Sequence, residues 1–248
     1  MRQALVMLSF GTTVPEARVS IEAVEKAMKA AAAGYTAVRA YTSPTVRRIL
    51  AERGEKVPSL TEGLERLYGE GVSRVLVQPT HLLYGYEYDK LKAEAEKYSE
   101  RFEKLVVGEP LLADKNDILR FAEEIARTCP QRQGEATVYM GHGTGHAANE
   151  VYPALQTALN RAGRSDICIG TVEGWPGLAE VLQTLKAPCR VRLTPLMLVA
   201  GDHARKDMAV VWKKALEQAG HSVQCGFTGL GELSWVQGMY RDKLMKIL

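Results

Sequence analysis

The sequence predicts an α/β protein made of two similar lobes, each a parallel sheet flanked by helices, and three observations predict it. Short β-branched or apolar runs alternate with amphipathic stretches of helical period along all 248 residues, the pattern that successive βαβ units leave in a sequence. The ends of those runs in the first half reappear in the second half. A hydrophobic content of 46% supplies enough apolar surface for one large core or two smaller ones.

Strands are expected near 3–9, 35–41, 73–79, 103–108, 136–141, 166–172, 189–194 and 222–227, with helices over Pro15–Ala33, Tyr88–Tyr98, Asp114–Thr128, Asn149–Ala162 and His203–Ala219. Right-handed crossovers then put helices on both faces of each sheet, a Rossmann-like arrangement. The opening run Leu5-Val6-Met7-Leu8 ends at Ser9-Phe10-Gly11-Thr12. It lacks the long apolar core and cleavage site of a signal peptide, so it reads as the first strand and the chain is expected in the cytoplasm. No stretch approaches the roughly 18 uninterrupted apolar residues of a membrane span, so no membrane partner is expected.

Cys129, Cys168, Cys189 and Cys225 are widely spaced and form no Cys-x-x-Cys pair. That excludes both a disulfide framework and a cysteine zinc site as the organising feature and fits a reducing compartment. The formal charge is +3 with no long Lys/Arg block, so nucleic acid is not an expected partner, while a small polyanion suits a mildly basic surface. The composition leaves room for a homo-oligomer without specifying one.

The internal repeat locates the chemistry. Ser9-Phe10-Gly11-Thr12 resembles Gly141-His142-Gly143-Thr144, and Tyr41-Thr42-Ser43-Pro44 resembles Glu173-Gly174-Trp175-Pro176, both at an offset of 132. Gln78–Glu87 aligns with Thr194–His203 at an offset of 116. The chain therefore reads as a duplicated unit with its seam at the linker Gln131-Arg132-Gln133-Gly134, giving lobes over 1–130 and 131–248. At matched positions the first half carries Phe10, Tyr41 and Glu87 and the second His142, Glu173 and His203. Ligands of open parallel sheets bind beyond the carboxyl ends of the strands, where all three second-half residues fall, and a cleft between the halves is the expected site.

Each candidate also has a bland reading. His142 sits in Gly141-His142-Gly143-Thr144-Gly145, where glycines let a ligand approach the backbone, yet such a stretch is also an ordinary strand-to-helix loop. Glu173 ends an apolar run, as a ligand or as a helix N-terminal acid. His203 follows Gly201-Asp202, and Asp202 is placed either to cap the next helix or to orient an imidazole. Two imidazoles and a carboxylate form a borderline donor set for divalent cobalt, nickel, iron or zinc, with positions left open for substrate. His81 and Glu87 flank Leu82-Leu83-Tyr84-Gly85-Tyr86, as a second polar wall or as a loop histidine and a helix N-terminal acid. His146 reads as a capping or solvated residue and His221 as structural.

Leu8-Ser9-Phe10-Gly11-Thr12, Met140-Gly141-His142-Gly143, Val172-Glu173-Gly174-Trp175-Pro176 and Pro195–His203 together resemble the anaerobic sirohydrochlorin cobaltochelatases, class II chelatases of cobalamin biosynthesis. The resemblance spans essentially the whole chain. It implies a chelatase-like two-lobed fold and a lyase that inserts a divalent metal, Co²⁺ before Fe²⁺ or Ni²⁺, into a sirohydrochlorin-type tetrapyrrole without ATP. It also implies metal-binding and catalytic roles for His142, Glu173 and His203, and substrate contacts from Phe10, Gly11, Thr12, His81 and Glu87. The alternatives carried beside it are a metal-dependent hydrolase and a non-catalytic tetrapyrrole or metal carrier.

Overall fold

The strand β1 (Gln3–Ser9) is buried continuously from Ala4 to Ser9, as a strand covered by helices on both faces must be. The computed structural model describes residues 2–185 and 187–248 and places β1 inside a parallel sheet of order β2-β1-β3-β4. Its partners are β2 (Thr36–Tyr41), β3 (Arg74–Pro79) and β4 (Lys104–Val107). The connections are α1 (Arg18–Ala31), the pair α2 (Pro44–Glu52) and α3 (Leu60–Gly69), and α4 (Tyr86–Glu96). Local chemistry starts two of them: the Ser43 side chain accepts from Val46 N ahead of Pro44, and Ser59 with Glu62 forms a reciprocal capping box. Val6, Val38, Leu64 and Leu91 pack together on one face of this sheet.

The second sheet has the order β6-β5-β7-β8. In chain order its unit runs α5 (Lys115–Thr128), β5 (Glu135–Gly141), α6 (Val151–Arg161), β6 (Ile167–Thr171), α7 (Leu178–Thr184), β7 (Arg190–Pro195), a π-helix over Ala204–Trp212, α8 (Lys213–Gln218) and β8 (Ser222–Cys225). Val138, Cys168, Leu193, Met208 and Trp212 form its core. All eight expected strands are present, and the two sheet orders match strand for strand.

Backbone hydrogen bonds at the strand ends repeat as well. Thr42 N and Ser43 N donate to Ser9 O and Phe10 O, and Val172 N and Glu173 N donate to Gly141 O and His142 O. The counterpart of Glu173 is therefore Ser43, which corrects the Tyr41 pairing made from the sequence. The connection is two residues shorter in the second unit, as the registers Ser9–Tyr41 and Gly141–Thr171 show, whereas motif matching had aligned the two prolines. Thr80 N bonds Leu8 O as Leu196 N bonds Met140 O, and Leu111 N bonds His81 O as Leu230 N bonds Met197 O. Met197 is thus the counterpart of His81.

The boundary also differs from the expected 130/131 seam. One unit is the chain up to Leu111 together with Gly231–Leu248, and the other is Leu112–Leu230. Helix α5 packs beside α6, and Gln131–Gly134 is a turn leading into β5 within the second unit. The C-terminal helix Ser234–Met245 returns to the first unit, where Tyr240 Oη donates to Thr80 O at 2.7 Å and Lys243 pairs with Glu109 at 3.0 Å. Amphipathic period shows that a helix has a face to bury, not which sheet it will cover. The expected continuous helix His203–Ala219 is likewise resolved into a π-helical first part and the short α8. Among the described residues no helix is long and apolar enough to cross a membrane.

Candidate metal and substrate site

Strand β5 ends at Gly141, and the chain must then turn sharply so that the next side chain leaves the sheet. Gly143 makes the turn at φ +80, and a Cβ there would lie 2.5 Å from Gly174 N. Only glycine combines that backbone conformation with so close an approach. The β5 and β6 loops are then tied together: Asn149 accepts from Thr144 N at 3.1 Å and donates to Trp175 O at 2.6 Å, while Tyr152 Oη accepts from Gly143 N at 3.3 Å. Asn149 and Tyr152 have supporting roles that the sequence reading passed over, because an amide or phenol inside a helix carries no mark of the loop it will brace.

This frame brings the three second-half candidates together. His142 and His203 meet edge to face with ring centroids 4.6 Å apart, and Glu173 Oε2 lies 3.8 Å from His142 Nδ1. Their side chains are 45%, 59% and 41% exposed for His142, Glu173 and His203, so a solvated ion has access to all three. Glu173 stands well ahead of α7, in the loop, which removes its reading as a helix N-terminal acid. His142 Nδ1 is 2.9 Å from Gly143 O. A carbonyl only accepts, so Nδ1 carries a hydrogen, and in the neutral ring Nε2 keeps its lone pair. His203 Nδ1 lies 2.7 Å from Asp207 Oδ2. The imidazole is therefore held by Asp207 and not by Asp202, which is exposed and lies 3.9 Å from Lys206. Among the described residues, no three His, Cys, Asp or Glu side chains stand close enough together to hold a metal ion among them.

The five substrate-contact candidates all belong to the first unit. Phe10 follows β1 and is 52% exposed. Gly11 repeats the positive φ of Gly143, at +94, and Thr12 is buried with its hydroxyl accepting from Val14 N. Glu87 lies in the first turn of α4 and pairs with Lys90 at 2.7 Å. It also borders a cavity of about 320 Å³ walled by Thr42, Arg47, Lys90 and Leu91. His81 has both ring nitrogens shielded from solvent without a hydrogen-bond partner. Burial lowers its pKa to about 4, against a smaller opposing pull from Glu87, so the ring is neutral near pH 7. Tyr84 packs edge to face on Tyr88, whereas Tyr86 is exposed. His146 accepts from Ala148 N at the start of a short 3-10 turn, and buried His221 accepts from Cys189 N, so both are structural as expected.

Comparison with known proteins places the chain in a family. The model of the cobalt chelatase (CbiK) family matches residues 3–248. The chain belongs to the cobalt chelatase family. It is 33% identical to a sirohydrochlorin cobaltochelatase of Salmonella typhimurium over 257 aligned positions, covering 100% of this chain and 97% of that one. A sirohydrochlorin cobaltochelatase of Nitratidesulfovibrio vulgaris is 32% identical, over 88% of this chain and 81% of its own. Among solved structures, SirB from Bacillus subtilis with Fe³⁺ shares the fold at a TM-score of 0.70 and 15% identity, over 99% of this chain and 95% of that one. The cobalt chelatase fold expected from the motifs is thus the fold the chain adopts, in two four-stranded parallel sheets.

Proposed function

We propose that this cobalt chelatase inserts Co²⁺ into sirohydrochlorin and that His142, Glu173 and His203 hold the incoming ion and receive the displaced protons. The observation that carries the reading is the pair of imidazoles, each engaged at Nδ1, meeting at 4.6 Å beside one carboxylate on a chain of this family. Insertion replaces two pyrrolic N–H bonds by metal–nitrogen bonds and releases two protons, so the site needs donors that an ion can leave and bases that titrate near neutral pH. Imidazole serves both needs.

Trp175, 58% exposed and two residues after Glu173, offers a flat apolar surface to one face of the macrocycle. Phe10, Gly11, Thr12, His81 and Glu87 are our proposed substrate contacts from the first unit. Arg47, on the wall of the 320 Å³ cavity, is the basic residue we assign to a peripheral carboxylate. The reaction is proposed to need no ATP. Four cysteines without disulfides support a reducing compartment, the cytoplasm.

The test is metal insertion followed by absorbance, with sirohydrochlorin or protoporphyrin, with Co²⁺, Fe²⁺ or Ni²⁺, and with or without ATP. Catalytic conversion of sirohydrochlorin by Co²⁺, unchanged by ATP, is expected. A rate no faster than buffer, or a single stoichiometric round of binding, overturns it in favour of a carrier.

A further inference from the structure

Asp207 has no role assigned so far beyond its contact. It lies four residues after His203, inside the π-helix Ala204–Trp212, and its Oδ2 is 2.7 Å from His203 Nδ1. Side chains four residues apart are neighbours on a helix surface, and π turns are frequent at functional sites. Here the first turn of the helix delivers a carboxylate onto the imidazole that precedes it. A carboxylate only accepts, so this contact requires a hydrogen on Nδ1, and in the neutral ring the lone pair is then on Nε2.

We propose that Asp207 is the positioning residue that fixes His203 as the tautomer presenting a bare Nε2 and holds the ring in that orientation. His142 reaches the same state by a different route, through the peptide carbonyl of Gly143 at 2.9 Å. The two imidazoles thus present like nitrogens, one held by the loop backbone and one by a side chain that mutation can remove. Outer partners of this kind change metal affinity by about 10–100-fold when lost from ligating histidines. The inference rests on the proposed ligand role of His203 only for its consequence, not for the tautomer itself.

The test uses the full chain, metal-free, with ¹⁵N-labelled histidine. Long-range ¹H–¹⁵N spectra at pH 8 should show His203 protonated at Nδ1 in the wild type. In Asp207→Ala the acceptor is gone and the ring should switch largely to the Nε2–H form, as it should in part in Asp207→Asn, whose side-chain oxygen can still accept from Nδ1. Unchanged His142 signals and an unchanged melting temperature would show that the fold is intact. Titration with Co²⁺ alone should then give binding weakened about 10–100-fold in Asp207→Ala, with partial recovery in Asp207→Glu. His203 keeping its wild-type tautomer in both Asp207→Asn and Asp207→Ala overturns the proposal. A switched tautomer with unchanged Co²⁺ affinity supports the positioning role and defeats instead the reading of His203 as a metal ligand.

Discussion

At matched strand ends the first unit carries Phe10, Ser43 and Glu87 where the second carries His142, Glu173 and His203. Strand order, register and the glycine at positive φ are common to both. In the first unit the polar groups are committed to structure: Ser43 caps α2, and Glu87 pairs with Lys90 on α4. In the second, Glu173 lies in a loop ahead of α7, and both histidines keep Nε2 clear by engaging Nδ1. One backbone plan therefore supports a unit whose residues at these three positions are apolar or engaged and a unit whose residues there keep donors free. The three side chains, not the fold, carry the difference.

The comparison breaks most visibly if the second unit is given the first unit's residue. His142→Phe should lower insertion turnover by about 10²–10⁴-fold, as loss of a proton-transferring side chain does, while far-ultraviolet circular dichroism stays unchanged. A variant retaining a tenth of the activity would remove His142 from the reaction. Phe10→His, the reverse change, should add no second Co²⁺ site by titration, since Ser43 and Glu87, at the positions that match Glu173 and His203, are already engaged.

Gly143→Ala should be next in size. The new Cβ would meet backbone at Gly174 N, whereas at Gly11 it would meet the Tyr41 ring, 2.6 Å away. We expect about 2–4 kcal/mol of destabilisation by urea denaturation at Gly143 from strain and overpacking, and less at Gly11. Equal effects would show that backbone and side-chain obstacles yield alike.

His81 separates the units by pH. Its folded pKa of about 4 lies below the roughly 6.5 of an unfolded histidine. Between those values the unfolded chain binds the extra proton, so stability is fully present above pH 6.5 and falls as pH drops toward 4, by at most about 1.4 kcal/mol per unit. His81→Met, which installs the second unit's residue, should flatten this dependence in denaturation measured from pH 7 to pH 5. An unaltered slope would assign the acid sensitivity elsewhere. Smallest is Ser43→Ala, expected to cost about 1 kcal/mol in thermal or chemical unfolding through loss of the α2 cap. No measurable loss would show that Pro44 and packing start that helix unaided.

Much of this arrangement is legible in the residues. The eight strands follow from apolar runs, and β1 and β5 start and end at positions offset by the same 132 residues as their motifs. His142 and His203 stand out because a rare residue closes an apolar run in each case. Tyr41 was matched to Glu173 because short motifs align on prolines, while only the hydrogen-bond register counts the residues between strands. Asp202 draws the eye because it adjoins His203, and Asp207 goes unremarked, yet adjacent residues on a helix point apart and residues a turn apart meet.

The sequence alone determined the α/β class, the duplication, the family and the residue types at the strand ends, since these depend on local period and on chemistry written in single side chains. Tertiary structure decided the rest: that the C-terminal helix completes the first unit and α5 the second, that Ser43 answers Glu173, and that Asp207 and not Asp202 engages His203. Those outcomes depend on which surfaces are buried against which, and on how many residues a turn contains. Both are fixed by packing between segments distant in the chain.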